Sequence, residues 1–119
     1  MQKVIAAIAG ILLGAAGMWF LSRTPAPQVD AEAAARGASL YQVCAACHGP
    51  KGRGNPDTFA PRIQGQHAWY LETQLRNFRA GVRGVDSLDL NGQVMRPMAL
   101  GLPNDDAVRD VVAYIQTLR

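Results

Sequence analysis

The amino-acid sequence predicts an all-α fold. Apolar residues recur at helical spacing over residues 66–80 and again over 104–118, and an alanine-rich stretch after Asp30 is a third candidate helix. No segment shows the apolar–polar alternation of a half-buried strand, and the sequence contains no internal repeat. We therefore expect three or four helices.

The first candidate helix begins after Asp30, a favourable N-cap residue, and continues through the first cysteine. Leu40 and Tyr41 form an apolar face together with Val43. Gly37 lies within this helix, where a glycine costs about 1 kcal/mol relative to alanine. Its presence predicts close packing against another helix.

The second candidate helix covers residues 66–80 and is expected to end at Gly81. It is flanked by two predicted loops, over residues 49–59 and 81–93. The apolar positions that define its helical spacing are Trp69, Tyr70, Leu71, Leu75 and Phe78.

The last candidate helix covers residues 104–118. Asn104 is its expected N-cap, and two aspartates follow in the first turn, where negative charge favours a helix N-terminus. Its expected buried stripe consists of Val108, Val111, Val112, Ile115 and Leu118.

The N-terminal segment is predicted to be a single transmembrane helix. Residues 4–21 carry no charge, and 18 residues of helix span about 27 Å, the lower limit for crossing a bilayer. Trp19 and Phe20 fit the membrane interface. With Pro25 after them they form a poor cleavage site, although a cleaved export signal remains an alternative.

These features divide the chain into an anchor over residues 1–22, a linker over 23–29 and a globular domain over 30–119. The linker contains two prolines and reaches at most about 25 Å, so an anchored domain would stay close to the membrane surface. An anchor and a cleaved signal both export the domain.

Charge and size narrow the function classes. The formal net charge of the 119 residues is +3, and part of it comes from the N-terminal segment, so the balance gives no support to nucleic-acid binding. A domain of roughly 90 residues has a marginal core without a covalent or cofactor staple. A large apolar cofactor would supply what the core lacks.

The sequence Cys44-Ala45-Ala46-Cys47-His48 predicts covalent attachment of a c-type haem. The two thiols can add to the haem vinyl groups as thioethers. The histidine directly after them can bind the iron as a neutral imidazole. We therefore expect Cys44, Cys47 and His48 to bind one haem c and its iron.

Three other functions of this motif compete with haem attachment. A redox C-x-x-C would need a thioredoxin-like βαβ setting, which the sequence does not show. A structural zinc site would need four ligands, and Cys47 and His48 are adjacent and ill-suited to one tetrahedron. A simple disulfide would leave His48 without a role.

With these residues in place, the chain resembles a class I cytochrome c over residues 30–118. Residues 37–41 resemble the N-terminal helix of that family, which packs across a C-terminal helix similar to residues 112–115. Residues 47–54 are similar to the usual C-H-G-x-x-G-x-G sequence. The resemblance implies a class I cytochrome c fold wrapped round one covalent haem. It also implies that the carbonyl of Pro61 accepts a hydrogen bond from His48.

The pattern of residues 70–81 is similar to a narrower group, the diheme periplasmic cytochromes and the cytochrome c domains of some bacterial haem–copper oxidases. Those relatives carry electrons or receive them for a larger enzyme. This chain differs from them in having one haem motif, its own N-terminal anchor and no copper-binding domain.

A distal iron ligand is expected between Gly81 and Asn104, where Met95 and Met98 supply two thioethers. The resemblance implies Met95, because the family's ligand precedes the apolar residue opening the last helix by about seven positions. Met98 is the second candidate, and either methionine could instead fill a gap in the core. His67 is a further possible ligand, although an exposed polar residue is the commoner role at such a position.

Ligation by His48 and Met95 would fill every iron position, so we expect one-electron transfer and no enzyme activity or small-molecule substrate. The predicted protein is a single-pass protein of the bacterial inner membrane with its haem domain in the periplasm. Its expected partners are membrane redox proteins of a respiratory chain, either a terminal oxidase or a quinol-oxidising complex. The alternative is a haem subunit permanently docked in a larger membrane oxidoreductase.

Overall fold

The computed structural model of the chain describes residues 28–119, and this part of the chain confirms the predicted all-α class. Four helices follow one another: α1 (Ala31–His48), α2 (Ala68–Arg79), α3 (Leu90–Leu100) and α4 (Asp105–Thr117). A 3-10 turn at Pro56–Thr58 and one isolated bridge between Asn55 and Ala60 lie in the loop after α1.

None of these four helices is long and apolar enough to cross a membrane. The predicted anchor over residues 1–22 and most of the predicted linker over 23–29 lie outside the described residues.

Side-chain caps fix the starts of α1 and α4 where the sequence predicts them. Asp30 accepts hydrogen bonds from the backbone N–H groups of Glu32 and Ala33 at 2.9 and 3.0 Å. Asn104 accepts one from Ala107 at 2.9 Å. Each cap satisfies donors that have no partner within the first turn of a helix.

Helix α1 crosses α4 at a point of direct backbone contact. A Cβ atom on Gly37 would lie 1.9 Å from the carbonyl oxygen of Asp110, so only glycine fits there. The rings of Tyr41 and Tyr114 pack nearby with their centroids 5.1 Å apart. The prediction that Gly37 marks close helix packing is therefore confirmed.

The core lies mainly between α4 and the two helices that pack on it, α1 and α2. Four of the five predicted α4 core positions are buried, and Leu118 is half-buried at the edge. The buried core residues are Tyr41, Leu71, Leu102, Ala107, Val108, Val111, Val112 and Ile115.

Helix α2 starts at Ala68, two residues later than predicted, and it buries Leu71 and Phe78. Trp69 does not share this face, because its side chain is 67% exposed. Its ring stacks on that of His67, with 6.3 Å between centroids. The expectation that Trp69 belongs to the apolar face of the helix was wrong, since a residue two positions before Leu71 points to the other side of a helix.

Helix α3 corrects the predicted loop over residues 81–93, because it begins at Leu90 within that range. Asp89 caps it and accepts a hydrogen bond from the N–H of Gly92 at 3.0 Å. Gly92 and Pro97 both lie inside the helix and are poor helix formers, which hid it from the sequence pattern.

Candidate haem site

The last turn of α1 presents Cys44, Cys47 and His48. Both thiols are free and half-buried, and the Sγ of Cys44 lies 3.9 Å from the carbonyl oxygen of Leu40. Burial raises the pKa of the Cys44 thiol. Residues three apart on a helix are neighbours on its surface, so the two sulfurs can address one ligand edge together.

His48 is buried, and its ring is held in one orientation. Its Nδ1–H donates to the carbonyl oxygen of Pro61 at 2.8 Å, which is the contact that the sequence analysis predicts. With the proton on Nδ1, the lone pair of Nε2 is available to a metal. A hydrogen bond of this kind also makes the imidazole a more basic ligand.

The loop after α1 brings Pro61 to His48 by a tight backbone approach. Gly54 donates from its N–H to the carbonyl of His48 at 2.9 Å and has a positive φ of 83°. A Cβ atom on Gly54 would lie within 2.9 Å of three backbone atoms, on Ala60, Pro61 and Arg62. Glycine is thus required where the two segments of this loop, at residue 54 and at residues 60–62, meet.

Met95 lies on α3 and is half-buried between two buried positions of the same helix, Gly92 and Ala99. Met98 is 44% exposed. Helix α3 packs on α2, whereas α1 packs on α4, and α1 and α3 do not share a substantial contact. The two helices that carry the candidate ligands therefore do not pack directly on each other.

The donor set suits a haem better than a bare metal ion. Within residues 28–119 no three His, Cys, Asp or Glu side chains converge to form a metal-binding cluster, as a zinc site would need. Arg96, next to Met95, has a buried Nε without a hydrogen-bond partner in this part of the chain. An unpaired cationic donor matches a cofactor that carries carboxylates.

Within the described part of the chain, the ring of His67 packs against Trp69 and not against the residues of the haem motif. His67 is the N-cap residue of α2 and is exposed. Asp89 and Arg83, which connect the start of α3 to α2, were not among the predicted site residues. The spacing of Asp89 and Gly92 is that of an N-cap and the third residue of a helix, and it could have indicated the start of α3. The glycines in this segment favoured a loop instead.

Comparison with known proteins adds independent information. The Cytochrome c family model matches residues 34–119. Cytochrome c4 of Azotobacter vinelandii is 34% identical over 110 residues, which cover 84% of this chain and 50% of that protein. The thiosulfate dehydrogenase electron acceptor of Stutzerimonas stutzeri is 42% identical over 88 residues, or 72% of this chain and 38% of that protein.

The crystal structure of reduced recombinant cytochrome c4 from Pseudomonas stutzeri superimposes with a TM-score of 0.66 at 32% identity. The match covers 76% of this chain and 50% of that one. The chain thus spans about half the length, or less, of these relatives. With the family match and the Cys44-x-x-Cys47-His48 site together, the chain belongs to the cytochrome c family, as a class I c-type cytochrome with one covalently bound haem c and its iron.

Proposed function

We propose that this protein is a membrane-anchored c-type cytochrome that carries single electrons within a respiratory chain. The observation that carries the proposal is the 2.8 Å hydrogen bond from His48 Nδ1 to the carbonyl oxygen of Pro61, which leaves Nε2 available to bind iron. Membership of the cytochrome c family and a relative named as an electron acceptor also support the proposal.

Each proposed ligand has a separate task. Cys44 and Cys47 hold the cofactor covalently, so that it is not lost when the protein exchanges electrons. His48 binds the iron with a fixed imidazole. Met95 would bind the iron through a soft thioether, which favours the reduced iron and raises the potential. Bound haem supplies the chemistry by alternating between ferrous and ferric iron.

With both His48 and Met95 bound, the iron would have no position left for a substrate, and this favours electron transfer over catalysis. The fixed His48 ring also favours electron transfer, because a ligand that does not reorient lowers the structural cost of each electron exchange. Neither His48 nor Met95 needs to gain or lose a proton in this proposal.

The proposed partners are membrane redox proteins. Electrons would enter from a quinol-oxidising complex or a dehydrogenase and leave to a terminal oxidase. A relative named as an electron acceptor of thiosulfate dehydrogenase supports a dehydrogenase as the electron donor. The proposed location, the bacterial inner membrane with the haem domain facing the periplasm, rests on the sequence of residues 1–22.

A permanently docked haem subunit is the second candidate. A relative named as the cytochrome subunit of sulfide dehydrogenase supports it. Detergent extraction followed by purification separates the two candidates. A docked subunit should elute with its enzyme, and a free carrier should elute alone.

The iron ligands are tested by comparing Met95→Ala with Met98→Ala. Met95→Ala should abolish the weak far-red charge-transfer band of a ferric His/Met haem, lower the potential and open the iron to cyanide or carbon monoxide. Met98→Ala should keep the band. The reverse result would exchange the two roles.

Covalent attachment is tested by acid–acetone extraction, in which the haem should stay with the denatured polypeptide. Replacing Cys44 and Cys47 together with alanine should abolish attachment. Haem released into the solvent from the unaltered protein would contradict the proposal.

A further inference from the structure

The carboxylate of Asp89 joins two segments that approach each other ahead of Met95. Oδ1 accepts the N–H of Gly92 at 3.0 Å, inside the first turn of α3. Oδ2 accepts the N–H of Gly84 at 3.2 Å, in the preceding loop. One side chain therefore binds both the loop and the helix.

The same carboxylate is connected to α2 through Arg83. The Nε of Arg83 lies 3.9 Å from Oδ2 of Asp89, and its Nη1 donates to the side-chain oxygen of Gln74 at 2.7 Å. The guanidinium also lies over the ring of Phe78, 4.6 Å from its centroid. Phe78 is buried, so this connection ends in the packed part of α2.

The two glycines that donate to Asp89 allow an approach that no other residue permits. Gly84 has a φ of 76°, and a Cβ atom there would lie 2.3 Å from the carbonyl oxygen of Gly92. A Cβ atom on Gly92 would lie 1.9 Å from Oδ2 of Asp89. The loop and the helix are thus in contact at backbone level, and Asp89 occupies the place beside them.

Helix α3 has little intrinsic stability of its own. It has 11 residues, two of which, Gly92 and Pro97, are the poorest helix formers. A helix this short forms only when contacts outside it supply the stability. Met95 lies between those two residues, so its position depends on what holds the start of α3.

We propose that Asp89 is a positioning residue for the distal iron ligand: its bridge between Gly84 and Gly92 holds α3 so that Met95 stays on the iron. This inference rests on the proposed function, because it takes Met95 as the ligand. Loss of the bridge raises the fraction of time that Met95 is detached while leaving Cys44, Cys47 and His48 in place.

The experiment measures cyanide binding to the ferric holoprotein, since cyanide enters only when the distal ligand leaves. Asp89→Ala should bind cyanide about tenfold faster or more, because two hydrogen bonds to a carboxylate are lost. The far-red band should weaken and the midpoint potential should fall. Hydrogen exchange at the amides of α3 should accelerate at the same time.

Asn104→Ala is the matched control. Asn104 caps α4 with one hydrogen bond at 2.9 Å, so its loss lowers global stability by a helix cap without touching α3. We expect its cyanide rate to stay at the level of the unaltered protein. Equal acceleration in Asp89→Ala and Asn104→Ala would show that general destabilisation is responsible and would overturn the inference.

Asp89→Ser separates the two roles of the carboxylate, the bridge to Gly84 and the cap of α3. It also provides the test if Asp89→Ala does not fold. Serine can cap α3, but it has a single oxygen and cannot also reach Gly84. We expect it to restore stability and to keep fast cyanide binding. A cyanide rate like that of the unaltered protein would reduce Asp89 to a helix cap and overturn the proposal.

Met95→Ala, measured in parallel, distinguishes failure of the inference from failure of the proposed function. If Met95→Ala keeps the far-red band, the ligand assignment is wrong and the inference falls with it. If Met95→Ala loses the band but Asp89→Ala binds cyanide no faster than the unaltered protein, the ligand stands and only the positioning role is wrong.

Discussion

The orientation of one histidine ring depends on a glycine six residues along the chain. Gly54 is pressed against the backbone at Pro61, whose carbonyl oxygen accepts the Nδ1–H of His48. A side chain at residue 54 would push the segment around Pro61 away. A backbone position without any functional group therefore controls the hydrogen bond of His48, the proposed iron ligand.

Gly54→Ala should both destabilise the protein and raise the midpoint potential. A weaker hydrogen bond makes His48 a less basic ligand, which favours ferrous iron. The left-handed backbone alone costs about 1–2 kcal/mol for a residue with a Cβ atom, and the clash adds about 1–3 kcal/mol. Potentiometric titration and chemical unfolding measure the two effects.

Gly65→Ala is the control for this prediction. Gly65 also has a positive φ, of 78°, but the nearest atom to a Cβ there is the end of the Arg62 side chain at 3.8 Å. Gly65→Ala should be destabilised only by the cost of the left-handed backbone, and its midpoint potential should be unchanged. A potential shift of the same size in both variants would refute the link through Pro61.

Asp110 is a buried carboxylate on the core side of α4, and Arg36 of α1 pairs with it. The guanidinium donates from Nε and Nη2 to the two carboxylate oxygens at 2.8 Å each. The hydrogen bonding and charge of Arg36 lower the pKa of Asp110 below its usual value. The pair therefore stabilises the folded state only while Asp110 is ionised.

The stability difference between the unaltered protein and Asp110→Asn should depend on pH. Because the folded pKa of Asp110 is depressed, the difference is fully present above the ordinary aspartate pKa of about 4. It should shrink as the pH falls through the lower folded value. Chemical unfolding at a series of pH values measures the difference. Arg36→Gln should lose the same pH-dependent part of the free energy of unfolding. A difference that stays constant down to about pH 2 would contradict the assignment.

At the scale of helices, the crossing of α1 and α4 is the contact that tolerates least change. Gly37 lies against the backbone of Asp110, so any side chain there separates the two helices. Most of the buried core residues belong to α4 and lie close to this crossing. Separation of the helices would therefore open the core.

Gly37→Ala should lower the free energy of unfolding by about 1–3 kcal/mol, despite the better helix propensity of alanine. Thermal unfolding of the holoprotein measures the loss. Gly101→Ala is a suitable comparison, because Gly101 has helical angles and a Cβ there would come no closer than 3.2 Å to the Met98 carbonyl oxygen. Comparable losses in the two variants would refute the importance of the crossing.

The sequence predicted the elements whose information is local. The caps at Asp30 and Asn104, the role of Gly37 and the contact of His48 with Pro61 all follow from short patterns or from family resemblance. The cysteine–histidine motif needs no tertiary information, since its three residues are almost contiguous.

Helix α3 could not be predicted in the same way, because its stability comes from outside it. Gly92 and Pro97 lower its helix propensity, whereas the Asp89 carboxylate and packing on α2 restore it. The exposed position of Trp69 was missed for a different reason. Its apolar character placed it in the predicted face, although its spacing of two residues from Leu71 puts it on the other side of α2.

At the scale of the whole molecule, the proposed membrane anchor and linker cover residues 1–29, ahead of the globular domain. We expect residues 1–22 to remain on the mature protein as an anchor. Intact mass of the native protein should include Gln2, and the protein should need detergent for extraction. A mature chain that begins near Asp30 and is found in the periplasmic extract would contradict this.

If the anchor delivers electrons locally, removing it should slow respiration through the partner. A chain that starts at residue 28 behind a cleavable export signal, matched for abundance, provides the comparison. A short tether raises the effective concentration of the haem domain near membrane partners, and the free domain loses that gain. Unchanged oxygen consumption would show that the tether has no part in electron delivery.

The pairing of α1 with α4 also has a consequence for the timing of biogenesis. Arg36 and Asp110 are 74 residues apart in sequence, so the first helix of the domain cannot complete its packing until the last one is available. Contacts of such long range make folding slow compared with local helix formation. If the domain is exported as proposed, the thiols of Cys44 and Cys47 should stay accessible until residues 105–117 have crossed the membrane. That delay would give an interval in which haem can be attached to the chain before it folds.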